Sequence, residues 1–477
     1  AGNDLKQNNG GTEGSSLVMA LIGRVNYAYA NKYMIEGVLR YDGSSTFAPD
    51  KRWGTFPSVS IGWRISEESF FKENISFISN FKLRASYGVV GDQGGFSPFQ
   101  YLEGYYYPSG KYLFTENVTT IGLSSSGIAN PDLTWFESKI ANIGFELSIL
   151  NGLFTAEFDM FRRDRSGLMA RRNLTLPTSF GTELPEENLN SDMTRGLVLG
   201  HNNTIGDFTY GVKSNATITR SRNKYVERAP DSNKYTNWRN NSNDRNKDLT
   251  WGYTMIGQFR DYEEILNSPV QDSNGNKSLL PGDFKYKDLN GDNIIDDNDV
   301  SVIGLGNTPF IYFGLNLTAA WKGFDVNVLF QGAGGHKIQL GSAFYQSFMN
   351  EGNSNGMAIW IERSHRVDSK DPASEWIIGK LPPVRKAGFA NNEKVNSYYL
   401  LDADYLRLKN LEIGYTVPKG LTSKIGVDKI RVFFNGSNLL TFTKGWLMKN
   451  IDPENNNSNA WYYPQAKMYN FGLSLSF

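Results

Sequence analysis

Apolar residues in this chain recur at every second position, in one segment after another, and that period decides what it can fold into. Tyr33, Ile35, Gly37, Leu39 and Tyr41 share one face, while Met34, Glu36, Val38, Arg40 and Asp42 share the other. The same two rows recur in 141–149, 154–160, 208–219 and 324–331. One apolar and one polar row is the pattern of a strand that is wet on one side only. Helical periodicity is scarce, and a composition of 14% aromatics and 48 Gly suits an all-β chain. Strands are predicted at 17–29, 33–42, 55–65, 79–89, 139–149, 153–163, 194–205, 208–220, 311–320, 324–333, 404–417, 429–440 and 468–477. Leu406/Leu408 and Leu411/Ile413 are out of phase, which predicts a bulge near Lys409–Asn410.

The connections sharpen the reading. Ala30-Asn31-Lys32, Leu150-Asn151-Gly152, Gly206-Asp207 and Trp321-Lys322-Gly323 are tight turns, and Asn-Gly between alternating runs is a strong hairpin signal. The connections at 90–137, 164–192, 221–310, 334–403 and 441–467 are very long. Shorter and longer connections alternate, with 66–78 and 418–428 as turns of moderate length. An outer-membrane barrel requires that asymmetry, with short turns inside and long loops outside. Such loops fold over the pore, which accounts for lengths that an ordinary domain rarely tolerates. The competing fold is a soluble all-β protein such as a propeller, and no repeat of about 40–50 residues supports it. No apolar run reaches the roughly 18 residues of a membrane helix, and mean hydropathy is negative; neither excludes a barrel.

Composition removes other classes. Forty-nine basic side chains balance 49 acidic ones, without the basic excess of a nucleic-acid binder. The absence of Cys excludes disulfides, thiolate zinc sites and Cys nucleophiles. His201, His336 and His365 are too scattered for a His-based metal site. No Gly-x-Ser-x-Gly elbow is present, so no catalytic residues are predicted, although a carboxylate pair at glycosidase separation is not excluded by sequence. Ala1–Ser16 is polar and lacks the basic and apolar regions of a signal peptide.

The chain ends in Tyr469, Phe471, Leu473, Leu475 and Phe477, an apolar row separated by Asn, Gly and Ser. This fits the closing strand of an outer-membrane barrel and its barrel-assembly signal; an ordinary edge strand would avoid exposing such a row. Bacterial single-chain barrels have an even strand number, whereas thirteen strands are predicted here, so the expectation is a C-terminal portion with strands missing upstream.

Within the longest loop, Asp288, Asn290, Asp292, the Ile294 carbonyl, Asp296 and Asp299 fall at the ligand positions of an EF-hand-type calcium loop. Asn293 stands where Gly is usual, and Asn tolerates the left-handed conformation better than most residues. Asp299 replaces the usual Glu, as in dockerin-like loops. The alternative is a solvated Asp/Asn turn. In either case the role is structural, stiffening a long loop.

Several strings resemble SusC/RagA-type TonB-dependent outer-membrane transporters of Bacteroidetes. They are Gly23-Arg24-Val25-Asn26-Tyr27, Leu39-Arg40-Tyr41-Asp42-Gly43-Ser44-Ser45, 53–64, 83–88, Asp283 to Gly304, 405–410 and 434–439. The resemblance covers nearly the whole chain, 1–477, and implies the C-terminal part of a barrel of about 22 strands, lacking about nine strands, the plug, the TonB box and the signal peptide. It further implies outer-membrane import of oligosaccharides or peptides, energised by the TonB complex, with a SusD-like surface lipoprotein as lid. A soluble or surface glycan-binding protein, or a barrel hydrolase, remains the alternative. Polar rows (Glu36, Arg40, Asp42, Glu146, Glu157, Asp159, Lys213, Asn215, Asp325, Asn327, Gln331) would line a wet lumen, most simply to hydrate it. Among loop aromatics, Tyr105, Tyr106, Tyr107, Trp360 and Trp461 are candidate substrate contacts, alongside Trp376, Tyr462 and Tyr463. Membrane-interface or loop-packing roles suit them equally.

Overall fold

The computed structural model describes residues 16–115, 118–171, 186–202, 208–231, 233–347, 355–385, 388–455, 458–459 and 461–477. Nearly all of the polar N-terminal segment, the turn at Gly206-Asp207 and the middle of the 164–192 connection therefore lie outside the described residues. Among those described, thirteen strands join edge to edge, in chain order, into one antiparallel sheet. They are β1 (Val18–Tyr29), β2 (Tyr33–Ser44), β3 (Trp53–Arg64), β4 (Ile78–Asp92), β5 (Phe136–Ile149), β6 (Phe154–Arg171) and β7 (Glu186–Asn202). The rest are β8 (Thr209–Tyr225), β9 (Ile311–Trp321), β10 (Phe324–Gly334), β11 (Tyr405–Thr416), β12 (Lys429–Thr443) and β13 (Met468–Ser476). Each predicted strand has its counterpart. Among the described residues no helix is long and apolar enough to cross a membrane.

Register turns the alternating rows into two continuous surfaces. Tyr27, Ile35, Ile61, Ala85, Ile143 and Met160 are successive cross-strand partners from β1 to β6. Tyr210, Ala319, Val326, Ile413, Phe434 and Phe471 do the same from β8 to β13. These side chains face outward, with Ile143 68% and Phe471 83% exposed to the surroundings. The opposite row is polar and half-buried, as in β2, where exposed Tyr33, Ile35 and Leu39 alternate with less accessible Met34, Glu36 and Val38. An apolar outer face and a charged inner one suit a wall with hydrocarbon outside and water within.

The tight turns follow from left-handed backbone. Ala30 and Asn31 have φ of 51° and 55°, and Lys322 and Gly323 have 47° and 89°. Two consecutive positive φ values match the right-handed twist of the flanking strands. At Gly323 a Cβ would lie 2.6 Å from the Thr416 carbonyl oxygen, so the turn needs glycine there. The predicted bulge is present: Leu408 pairs with Phe330 and Asn410 with Leu329, leaving Lys409 without a register partner.

The wall strands run further than the alternation indicated. β6 reaches Arg171, β7 begins at Glu186 and β8 reaches Tyr225, so most described residues of the supposed 164–192 loop are strand. Outside the hydrocarbon both faces of a ribbon meet water, and pairing continues without an apolar row to announce it. The other long connections carry structure too, including a hairpin of Tyr105–Thr115 with Val118–Ser125.

On the short-turn side, Glu68 gathers the 65–77 turn onto the sheet. Its carboxylate accepts hydrogen bonds from Tyr33 Oη at 2.6 Å, Trp63 Nε1 at 3.1 Å and Lys32 Nζ at 3.0 Å. Tyr33 and Trp63 are register partners. The Tyr33, Lys32 and Trp63 donors hold the Glu68 carboxyl down at about 2. A lowered carboxylate pKa stabilises the fold above the ordinary value near 4.5 and loses that contribution as pH falls toward 2. E68Q should therefore lower the thermal unfolding temperature in detergent at pH 7, and the gap from wild type should close between pH 4 and 2. A pH-independent gap would rule out the charge as its source.

Candidate functional site

The wall itself has almost no hydrophobic core; the main core lies in the loops. Phe284, Tyr286, Ile338, Leu340, Phe344, Trp360, Leu381, Tyr399, Leu447 and Met448 form one buried cluster. They come from three connections, 226–310, 335–404 and 444–467, which thus fold as one module. A polar network threads through it. Asp283, fully buried, pairs with Arg385 and accepts from Asn392 Nδ2 at 2.7 Å. Gln271 Nε2 donates to Asn391 Oδ1 at 2.7 Å, and Tyr286 Oη to the Asn391 carbonyl at 2.7 Å. Burial pushes the Asp283 carboxyl above its ordinary value even though Arg385 and Asn392 pull it down.

One clamp fixes the module to the wall. Arg407 on β11 is 2% exposed; it meets Asp452 at 2.8 Å and Glu454 at 2.9 Å, and donates to Thr441 Oγ1 at 3.0 Å. Sequence reasoning passed over Arg407, although an Arg between Leu406 and Leu408 in a strand was a signal that it needed a partner.

The candidate contact residues separate. Tyr105, Tyr106 and Tyr107 are well exposed on the hairpin between β4 and β5, and Trp461 is exposed in the loop between β12 and β13. Trp360 is a correction: it is 7% exposed inside the loop core, so its ring is unavailable to a ligand. Trp376 stacks with Arg366 at 4.9 Å, and the Tyr462 hydroxyl accepts from the Asp452 backbone N–H at 2.5 Å.

The acidic segment is wound by its own side chains. Asp288 accepts from the backbone N–H of Gly291 at 2.6 Å and of Asn293 at 2.9 Å; Asn290 accepts from Asp292, and Asp292 from Ile294. Asp299 Oδ1 accepts from Leu289 and Oδ2 from Asp296. Asn293 is left-handed, with φ of 63°, at the position where Gly is usual. Among the described residues no three His, Cys, Asp or Glu side chains converge as a metal-holding group.

Along the inner wall, ions pair across strands. Arg84 on β4 meets Glu146 at 2.9 Å, Glu157 at 2.5 Å and Asp159. Arg431 on β12 meets Asp325 and, at 2.6 Å, Glu412, and within β2 Arg40 meets Asp42 at 2.9 Å. A cleft of about 650 Å³ lies among Arg24, Glu36, Ser60, Arg84, Asn142 and Asp159. This surface can hydrate and orient polar solutes, and nothing in it resembles a nucleophile with its base.

No family model matches the chain. Curated proteins do. Over 489 residues it is 28% identical to TonB-dependent receptor P3 of Formosa agariphila, covering 96% of this chain and 45% of that protein. Over 471 residues it is 26% identical to TonB-dependent receptor SusC of Bacteroides thetaiotaomicron, covering 96% and 44%. Its fold matches a solved structure of the RagAB peptide transporter with a TM-score of 0.71 at 21% identity, over 97% of this chain and 48% of that one. The chain thus spans less than half the length of these relatives. The resemblance to SusC/RagA-type receptors is borne out, and the sheet is the wall of an outer-membrane β-barrel. The relatives are named as receptors and transporters rather than as enzymes.

The loop core depends on the Asp283–Arg385 pair. Arg385→Met strands a buried carboxylate, at a cost of about 3–5 kcal/mol. Hydrogen exchange across 255–300 should accelerate at pH 7 and partly recover as pH falls, because burial already raises the Asp283 carboxyl and removing Arg385 takes away a cation that pulls it down. Exchange equal to wild type at pH 7 would remove the pair from this role.

Proposed function

We propose that this chain is the C-terminal wall and loop module of an active importer of oligosaccharides or peptides in the outer membrane. The observation that carries the reading is similarity over 96% of the chain to TonB-dependent receptors, SusC among them, in a sheet whose apolar row faces outward. The full barrel has about 22 strands. β1 and β13 are the two edges of the sheet, and an edge left open in hydrocarbon would strand its backbone groups, so further strands close the ring between them. Energy comes from the TonB complex acting on a plug domain, and a SusD-like lipoprotein covers the loop end. Tyr105, Tyr106, Tyr107 and Trp461 contact the substrate. The row from Tyr469 to Phe477 serves as the assembly signal, its outward side chains meeting lipid beside β12.

Uptake by intact cells tests this. Cells with and without the receptor gene, and with and without TonB, are given fluorescent oligosaccharide and peptide pools. Loss of uptake on deleting either gene is expected. Unchanged uptake of every pool in the receptor deletion would sink the import reading.

Calcium is the structural ion proposed for the acidic segment. Asp288, Asn290, Asp292, Asp296, Asp299 and the Ile294 carbonyl would hold it, since a carboxylate that accepts a backbone hydrogen bond keeps further lone pairs. Calorimetry should show calcium binding tighter than about 1 mM, abolished in Asp288→Ala with Asp292→Ala. Equal heats in that double variant would leave the segment as a self-capped turn.

A further inference from the structure

At the loop end of β8 an arginine is held in place with no carboxylate among the described residues to meet it. The segment 245–247 pairs with the strand's last residues: Asn223 N–H donates to the Arg245 carbonyl at 2.8 Å, and Lys247 N–H to that of Ser221 at 3.0 Å. The Arg245 guanidinium carbon then lies 4.6 Å from the Trp238 ring centre and 5.4 Å from that of Trp251. Those two indoles meet edge to face at 5.7 Å. One guanidinium nitrogen donates to the Arg239 carbonyl at 2.9 Å. Among the described residues Arg245 has no acidic partner, unlike Arg84, Arg385, Arg407 and Arg431.

Arg245 borders a cleft of about 500 Å³. Arg239 and Lys247 line it too, and Asp297 is its one acidic residue, 3.9 Å from the Arg239 guanidinium. Asn223, Asn240 and Asn246 add amides to the lining, and Trp251 adds an indole. Asn223 stands two-residue steps above Lys213 and Asn215 on the inner row of β8, so the cleft belongs to the lumen side of the wall. Arg245 brings the cleft a guanidinium that no carboxylate among the described residues meets, and its contacts with the two indoles and the Arg239 carbonyl have already removed much of the freedom it would lose on binding.

We propose that this cleft is a binding site for an anionic oligosaccharide, whose carboxylate or sulfate group is received by Arg245 with Lys247 and Arg239 beside it. The assignment rests on the import reading and narrows its substrate class. A sugar suits the lining better than a peptide, because ring hydroxyls use paired donors and acceptors such as the three amides, and a pyranose face suits an indole. Arg245 acts as a fork that donates to two oxygens of one acidic group.

The test uses the purified receptor in detergent, titrated calorimetrically with tetragalacturonate, a sulfated carrageenan tetrasaccharide, neutral maltotetraose and tetraglutamate. At least one acidic sugar should bind, and its affinity should fall as salt rises. Arg245→Gln and the exposed Lys247→Glu should each weaken it by about tenfold or more, the loss of one charged hydrogen bond. Arg245→Lys should retain part of the affinity. Retention of the heat-modifiable band on gels shows that the variants are folded. Binding of neither acidic sugar, equal binding of maltotetraose, equal or tighter binding of tetraglutamate, or unchanged affinity in Lys247→Glu would each overturn the proposal. Acidic-sugar binding without TonB-dependent uptake would leave the cleft assigned and remove the import reading; TonB-dependent uptake of neutral sugars alone would do the reverse.

Discussion

Everything in this chain depends on the pairing of backbone N–H and C=O groups between neighbouring strands. In hydrocarbon no water is available to an unpaired group, and each one costs several kcal/mol. A wall whose backbone is satisfied strand to strand leaves its side chains free of the usual duty to build a core. The outer row then needs only to be apolar and the inner row only to be wet. That is why Ile35, Ile61 and Ile143 can face outward, while Glu36, Arg84 and Asp159 stand on the inside.

A wall without a core cannot stabilise long loops by packing against them. Three of the long connections meet that need among themselves. Phe284 and Tyr286 from one, Phe344, Leu381 and Tyr399 from the second, and Leu447 and Met448 from the third bury one another. None of the three would enclose these rings alone. The charged residues serve the same end: Asp283 with Arg385 inside the module, Arg407 with Asp452 and Glu454 where it meets the wall. Trp360 lies in this core because the module needed volume there.

What the sequence made legible and what it hid follow from this division. All thirteen wall strands and the Lys409 bulge could be read, because one-sided contact with hydrocarbon writes a two-residue period directly into the chain. The extensions of β6, β7 and β8 were hidden, since beyond the membrane the same ladder carries no apolar row. The loop core was hidden for a different reason. Its members are separated by up to about 170 positions, as Phe284 and Ile451 are, and no local period records such a meeting. The spacing of the acidic segment was visible, and so was the tolerance of Asn293 for its left-handed backbone, but the Asx hydrogen bonds that wind it were not.

The same reasoning separates residues that hold the molecule together from those left over for a ligand. A buried or half-buried arginine is costly unless matched, and Arg84, Arg385, Arg407 and Arg431 each meet at least one carboxylate. Arg245 instead gains its order from two indole faces and one carbonyl, contacts that position the charge without neutralising it. A cation fixed but unmatched retains most of its attraction for an anion. Its place beside the inner row of β8, at the loop end of the wall, puts that attraction where a solute entering the barrel would meet it.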